Sequence, residues 1–189
     1  MKDSKRAQLK RSYKKLDWID QPNSFAESAL HFMPLDGRIL AFTAGHGQDS
    51  VFFASEGYDV LATDSITAHL EPLMKKLPED LDDRIALQAI DLKKPLPLAD
   101  GSVSIVYGHC SFAELQPDDL STLFQEIHRV LAPHGMLAFL APPDTMSIET
   151  AKTYTKEFRL LLCDSRGETR EGQTAGIHNY VRFIGKRAD

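Results

Sequence analysis

Apolar residues in this chain fall into short, nearly continuous runs separated by segments with helical spacing. Ile39-Leu40-Ala41-Phe42 and Met136-Leu137-Ala138-Phe139-Leu140 show no polar alternation, which is the pattern of strands covered on both faces. The pattern predicts strand 38–44, helix 48–56, strand 58–63, helix 66–76, strand 84–90, strand 103–108, helix 117–131 and strand 135–141. Strands alternating with helices specify a doubly wound, mostly parallel α/β sheet. Ahead of it, residues 1 to about 20 read as a helix with Leu9, Tyr13, Leu16 and Trp18 as its apolar positions. Gln21-Pro22-Asn23-Ser24 interrupts that helix, and Ser24 is placed to cap a short one from Phe25 to Phe32. Beyond residue 147 come another helix and the runs Phe158–Cys163 and Tyr180–Gly185, joined by a polar, glycine-rich return over 164–176. No repeat or second domain is evident, so residues 1–189 are expected to form one domain, with 1–34 as a helical arm or lid.

The segment from Arg38 to Asp64 carries the most chemistry. It reads as a buried strand, a turn with Gly45 and Gly47, a helix, and a second strand ending in an acid seventeen positions after Gly47. Glycines at a strand-to-helix turn let a ligand approach the backbone, and an acid at the tip of the next strand can accept hydrogen bonds from ribose hydroxyls. Together they point to a nucleoside-containing cofactor. Ligands of open α/β sheets bind beyond the carboxyl ends of the strands. Around that crevice the sequence places Thr43, Ala44, Gly45, His46 and Gly47; Asp64, Ser65 and Ile66; Asp91 and Leu92; and Tyr107, Gly108, His109, Cys110 and Ser111. Simpler roles stand beside these: turn glycines, a helix-capping Asp64, and a loop acid at Asp91 before Lys93-Lys94. His109 follows the fourth strand and is the candidate general base, against a reading as a satisfied edge histidine.

A nicotinamide or flavin fingerprint would carry a third small residue for close helix–strand packing, a position that Ser50 suits only in part. The segment instead resembles motif I of the class I S-adenosylmethionine-dependent methyltransferases, with Asp64 where that family has its ribose-binding acid. The resemblance continues through Leu87-Gln88-Ala89-Ile90-Asp91-Leu92, where the family's Asp meets the adenine amino group. It continues again through Pro95–Val106, similar to the family's lead into its fourth strand, and Gln125–Gly135, similar to its "E-x-x-RVL-x-PGG" helix and turn. The likeness implies a sheet of order 3-2-1-4-5-7-6 with one antiparallel strand, and S-adenosylmethionine as cofactor. The Gly45–Gly47 turn would then meet the methionine portion, and Asp91 with Leu92 the adenine. Three positions depart from the family: Ala41 replaces the motif I acid, Thr43 the first motif glycine, and Ser104 the acid expected at the start of the fourth strand.

Composition narrows the partners. Hydrophobic content of 42% and a net charge of −5 are ordinary for a globular protein and give no reason to expect nucleic acid. The first seventeen residues hold seven Lys or Arg against two Asp, either a solvated helix or an arm for an anionic partner such as RNA. Two cysteines and scattered histidines offer neither a disulfide framework nor a metal-ligand spacing. No apolar run approaches the roughly 20 residues of a membrane span, so a cytoplasmic location is expected. The expectation is a methyltransferase acting on a small-molecule acceptor. The rivals are a non-catalytic binding or scaffold module of the same fold, a nicotinamide-dependent oxidoreductase, and an RNA modifier using the basic arm.

Overall fold

The computed structural model describes residues 2–169 and 177–188. Seven strands form one sheet: β1 (Arg38–Phe42), β2 (Asp59–Asp64), β3 (Ile85–Ala89), β4 (Val103–His109), β5 (Leu131–Ala141), β6 (Phe158–Thr169) and β7 (Ile177–Arg187). Their order is β3-β2-β1-β4-β5-β7-β6, with β7 antiparallel to both neighbours and all other pairings parallel. The helices are α1 (Lys2–Tyr13), α2 (Ser24–Leu30), α3 (Gln48–Ser55), α4 (Glu71–Met74), α5 (Glu79–Asp82), α6 (Pro117–Val130) and α7 (Ile148–Tyr154).

The uninterrupted apolar runs are explained by two cores, one on each face. From β1, Ile39 and Ala41 point into a layer with Leu9, Phe25, Val51 and Phe53, contributed by α1 to α3. Leu40 and Phe42 point the other way, onto Leu120, Leu123, Phe124 and Ile127 of α6. Those α6 residues recur at helical spacing, so one stripe of that helix is apolar and buried.

Three expectations are corrected. The helix expected over 66–76 shrinks to α4, because Pro72 tolerates only the first turn of a helix and would fall in the interior of a longer one. The helix expected to about residue 20 ends at Tyr13, and Leu16 N–H bonds the Tyr13 carbonyl at 2.9 Å in a tighter turn that leaves Trp18 42% exposed. Asn23, not Ser24, caps α2: its side chain accepts the N–H of Phe25 at 2.8 Å, and Ser24 becomes the first helical residue. The return over 164–176 is strand as far as Thr169, and its remainder lies outside the described residues.

Two of the resembling segments prove to be one structural clamp. Arg129, in the last turn of α6, donates to both carboxylate oxygens of Glu126 at 2.8 and 2.7 Å. It also donates to Asp100 Oδ1 at 2.7 Å and to the carbonyls of Leu98 and Leu96 at 2.8 and 3.0 Å. Glu126 in turn accepts the Leu96 N–H at 2.8 Å. The guanidinium fork thus fastens the 95–101 loop to α6 just before β4 begins. The clamp sits at the amino end of β4, away from the carboxyl ends where ligands bind.

Candidate functional site

The end of each central strand turns sharply. Thr43 has φ +45° directly after β1, and Cys110 has φ +55° directly after β4. Neither is glycine, and for β-branched Thr43 this region is a genuine outlier. Thr43 stands where the resembling family has a glycine, so the chain keeps the backbone conformation while changing the side chain. Its hydroxyl lies 2.5 Å from Ser111 Oγ, which donates to the Phe42 carbonyl at 3.2 Å. These turns part the strand ends and leave a cavity of about 230 Å³ between β1, β2, β4 and the loop after β3.

Asp64 stands at the tip of β2 and lines the cavity, its side chain 20% exposed. Its Oδ1 accepts the Ser65 N–H at 2.7 Å, while its Oδ2 meets only His69 Nε2 at 4.0 Å among the described residues. One carboxylate oxygen therefore has accepting capacity left. Ile90, Leu92 and Leu115 supply an apolar wall beside it. Asp91 also lines the cavity, and it serves the loop as well: Oδ1 accepts the Lys93 N–H at 3.0 Å and Oδ2 pairs with Lys94 at 3.2 Å. The Lys93 N–H, then the Lys94 ammonium, hold the Asp91 carboxyl below the usual carboxylate range.

The glycine turn follows Thr43, which lines this cavity. Gly47 caps α3 at φ +83°, and a Cβ there would lie 2.6 Å from Leu73 Cδ2. Its N–H returns to the Ala44 carbonyl at 2.8 Å, and the Ala44 N–H bonds the Thr63 carbonyl at 2.9 Å. Gly45, with φ +53°, and His46 are exposed. Ile66, at 67% exposure, points largely to solvent. Gly108 is buried at the end of β4, where a Cβ would crowd Ser111 Oγ at 3.1 Å. Thr43, Asp64, Ser65, Asp91 and Leu92 thus line the cavity together, whereas Ala44, Gly45, His46, Gly47, Ile66, Gly108 and His109 are not part of its lining.

Several participants had no signal in the sequence. His69 Nε2 lies 3.0 Å from the Gly45 carbonyl, so that nitrogen carries the proton, and it stands 4.0 Å from Asp64 Oδ2, too far for a hydrogen bond. Asn23 reaches His109 across 86 positions, with Nδ2 to Nε2 at 2.8 Å. Asp49, in the first turn of α3, accepts from the Tyr107 hydroxyl at 2.8 Å and from the Asn23 N–H at 2.7 Å. The N-terminal aromatics divide: Phe25 stacks on Tyr107 at 5.9 Å, Tyr13 packs on Phe52 at 6.3 Å, and Trp18 carries the Lys76 ammonium 5.7 Å from its ring centroid. Of the basic residues in the first helix, Arg6 and Lys10 are engaged by Glu56 at 2.8 and 2.9 Å.

A doubly wound sheet with an acid at the tip of β2, a glycine turn after β1 and an apolar wall after β3 defines a nucleoside-binding protein of the Rossmann-like class. The family profile described as "Methyltransferase domain" matches residues 39–135, about half of the chain. The chain belongs to this family, that of the class I S-adenosylmethionine-dependent methyltransferases, whose cofactor is S-adenosylmethionine. It is similar to an uncharacterised methyltransferase of Synechocystis, 26% identical over 125 residues. That match covers 62% of this chain and 56% of the relative, so the chain spans little more than half of that protein. Among solved structures it resembles a SAM-dependent methyltransferase of Methanosarcina mazei (15% identity, TM-score 0.72, covering 85% of this chain and 97% of that one). It also resembles the 1,6-didemethyltoxoflavin N1-methyltransferase of Burkholderia thailandensis (17% identity, TM-score 0.65, covering 98% and 87%), solved with its acceptor and S-adenosylhomocysteine. At these identities the structural likeness establishes the fold. Among the described residues, no helix is long and apolar enough to cross a membrane, and no three His, Cys, Asp or Glu side chains converge on a metal site.

Proposed function

We propose that this chain is a cytoplasmic methyltransferase that binds S-adenosylmethionine in the cavity and methylates a small molecule. The observation that carries the reading is the unspent Oδ2 of Asp64, at a cavity whose lining also holds an apolar wall and Thr43, the residue that leads into the glycine turn. These residues fit the cofactor chemically. Asp64 accepts from ribose hydroxyls, with Ser65 and Ile66 beside it. Asp91 and Leu92 meet the adenine, one polar and one apolar. The turn from Thr43 through Ala44, Gly45, His46 and Gly47, with Gly108 opposite, receives the methionine portion. When bound, the cofactor supplies a sulfonium-activated methyl carbon, which takes the acceptor's lone pair while the carbon–sulfur pair stays on sulfur. The protein's share is orientation and exclusion of water, not covalent chemistry. Cys110 and Cys163 are both half-buried thiols, which suits a reducing compartment.

A non-catalytic binding module of the same fold is favoured by one observation: Ala41, where the family has an acid, is 2% exposed and surrounded by apolar side chains. Calorimetric titration with S-adenosylmethionine and S-adenosylhomocysteine tests both readings. Micromolar binding that disappears in Asp64→Ala, with the melting temperature retained, is the expected result. A well-folded protein that binds neither ligand would sink the methyltransferase reading, and undiminished binding by Asp64→Ala would sink the ribose assignment.

A further inference from the structure

The turns that end β1 and β4 bring two hydroxyls together at one wall of the cavity. The parallel register pairs Phe42 with Gly108, so the strands end within one residue of each other, and each is followed at once by a left-handed residue. Ser111 then folds back over the end of β1. Its hydroxyl lies 2.5 Å from that of Thr43 and 3.2 Å from the Phe42 carbonyl, and Thr43 Oγ1 also faces the main-chain carbonyl of His109 at 3.5 Å. Ser111 is 7% exposed, yet both residues line the cavity.

Two hydroxyl protons serve this cluster. One lies in the short contact between the oxygens, whichever of them donates it. If Thr43 donates, the Ser111 proton goes to the Phe42 carbonyl; if Ser111 donates, the Thr43 proton faces the His109 carbonyl. Both protons are spent on the protein in either arrangement, and each hydroxyl oxygen keeps at least one lone pair. The pair therefore offers a ligand acceptors and no protons.

We propose that the Thr43–Ser111 hydroxyl pair is the receptor for the ammonium group at the amino-acid end of the cofactor, and so selects the amino over the carboxyl group at this wall. This rests on the S-adenosylmethionine reading above. An ammonium carries three donors and no lone pair, which matches two oxygens whose own protons are spent; a carboxylate, which only accepts, finds no partner there. The position agrees. Thr43 leads directly into the Ala44–Gly47 turn assigned to the methionine portion, whereas Asp64, Ser65 and Asp91 stand at the ends of β2 and β3, where the nucleoside is assigned. A family glycine at position 43 would bring no side-chain acceptor, and Ala41 leaves the same strand without its acid, so the hydroxyl pair supplies a neutral receptor where the family pattern is altered.

The other polar groups of the lining suit an ammonium less well. Lys93 is itself a cation, and the Cys110 sulfur is a weak acceptor. Thr63 donates to the Ala41 carbonyl at 3.0 Å and presents one oxygen where the pair presents two. Glu114, an exposed carboxylate at the same cavity, is the rival receptor.

Calorimetry of the full chain with three thioether ligands tests the proposal: S-adenosylhomocysteine, its analogue with hydrogen in place of the amino group, and methylthioadenosine, which lacks the amino-acid end altogether. Thr43→Val keeps the branched shape and Ser111→Ala removes only the hydroxyl. In each, affinity for S-adenosylhomocysteine should fall about tenfold or more, the worth of a hydrogen bond to a charged group, while affinity for the two ligands without an ammonium stays within about twofold of wild type. Thr43→Ser keeps the hydroxyl and should bind as wild type does. Equal losses for all three ligands would make the pair purely structural and overturn the proposal. So would undiminished S-adenosylhomocysteine binding in both variants, or a selective loss that appears in Glu114→Gln instead. Should Thr43→Val fail to fold, Thr43→Gly removes the hydroxyl together with the backbone strain and must show the same selective loss. A wild-type protein that binds none of the three overturns the cofactor reading and this assignment with it; binding of all three without a selective loss in the variants overturns the assignment alone.

Discussion

Replacing Arg129 with Met keeps an unbranched stem and removes the guanidinium, which isolates what the clamp contributes. The side chain makes five hydrogen bonds, and their surroundings decide their worth. The Asp100 carboxylate is 81% exposed, so water replaces that partner at close to zero cost. Glu126, 17% exposed, loses a two-pronged charged partner, worth about 1–2 kcal/mol at this partial burial. The carbonyls of Leu96 and Leu98 each lose a donor, at about 0.5–1 kcal/mol apiece. The expected loss is about 3 kcal/mol, a fall in melting temperature of roughly 6–12 °C for a domain of this size. Differential scanning calorimetry at neutral pH checks it. Affinity for S-adenosylmethionine should hold, because the clamp sits at the opposite end of β4 from the cavity. With Glu126→Gln in the background, Arg129→Met should cost about 1–2 kcal/mol, since the charged pair is already weakened while the Leu96 and Leu98 carbonyls still lose a donor. A melting temperature within about 2 °C of wild type would refute the reasoning, because it would mean that the clamp is no stronger than the hydration it replaces.

The clamp also predicts acid lability: hydrogen bonding by Arg129 holds the Glu126 carboxyl low, and Arg182 does the same for Asp164. A depressed native value gives stability that is fully present above the ordinary carboxylate range and is lost as pH falls through the native value, so melting temperature measured against pH should be level near neutrality and decline below about 4.5, less steeply in Arg129→Met. Gly47→Ala forces a side chain into φ +83° and to within 2.6 Å of Leu73 Cδ2, so urea denaturation should show a loss of about 1–2 kcal/mol. Glu56 is 9% exposed and bound by two cations of α1, so Glu56→Gln should cost about 1–2 kcal/mol and speed amide exchange in α1 more than in β1, read by mass spectrometry.

Strand positions were readable because burial on both faces leaves an apolar run that no surface segment shares, and Ile39–Phe42 is such a run. The end of helix 66–76 was readable in principle, since Pro72 was there to be weighed and apolar spacing outweighed it. The choice between Asn23 and Ser24 as cap was not readable. Both are good caps, and the decision falls to Asp49 and His109, 26 and 86 positions away. Asp64 and the glycine turn could be found because adjacent strand ends bring local motifs together. His69 could not, since its bond to the Gly45 carbonyl depends on how the loop after β2 folds back. Arg129 could be recognised as part of a motif but not as a clamp, because its partners lie 29 to 33 positions upstream as well as within its own helix.

The three departures from the family pattern do not weigh equally on the site. Ser104 lies against Gly37, where a Cβ would come within 2.5 Å of its hydroxyl, at the amino end of β4 and far from the cavity. Whatever an acid does there, it does not act on a ligand at the carboxyl ends. Thr43 alters the side chain but retains a left-handed backbone, at a cost of order 1–3 kcal/mol. The bonds from its hydroxyl to Ser111 and from the Ala44 N–H to Thr63 help hold that strained turn in place. Cys110 mirrors it across the cavity, its N–H held by the Leu140 carbonyl at 2.8 Å. Were these two residues extended, β1 and β4 would run on side by side and close the space between them. The strain therefore keeps the site open. Ala41 and Ser104 both stand in place of an acid, but Ala41 lies toward the carboxyl end of β1, paired with Tyr107, whose hydroxyl is bound by the carboxylate of Asp49. One missing acid in an otherwise formed site predicts weakened hold on the methionine end of the cofactor, with the nucleoside end intact.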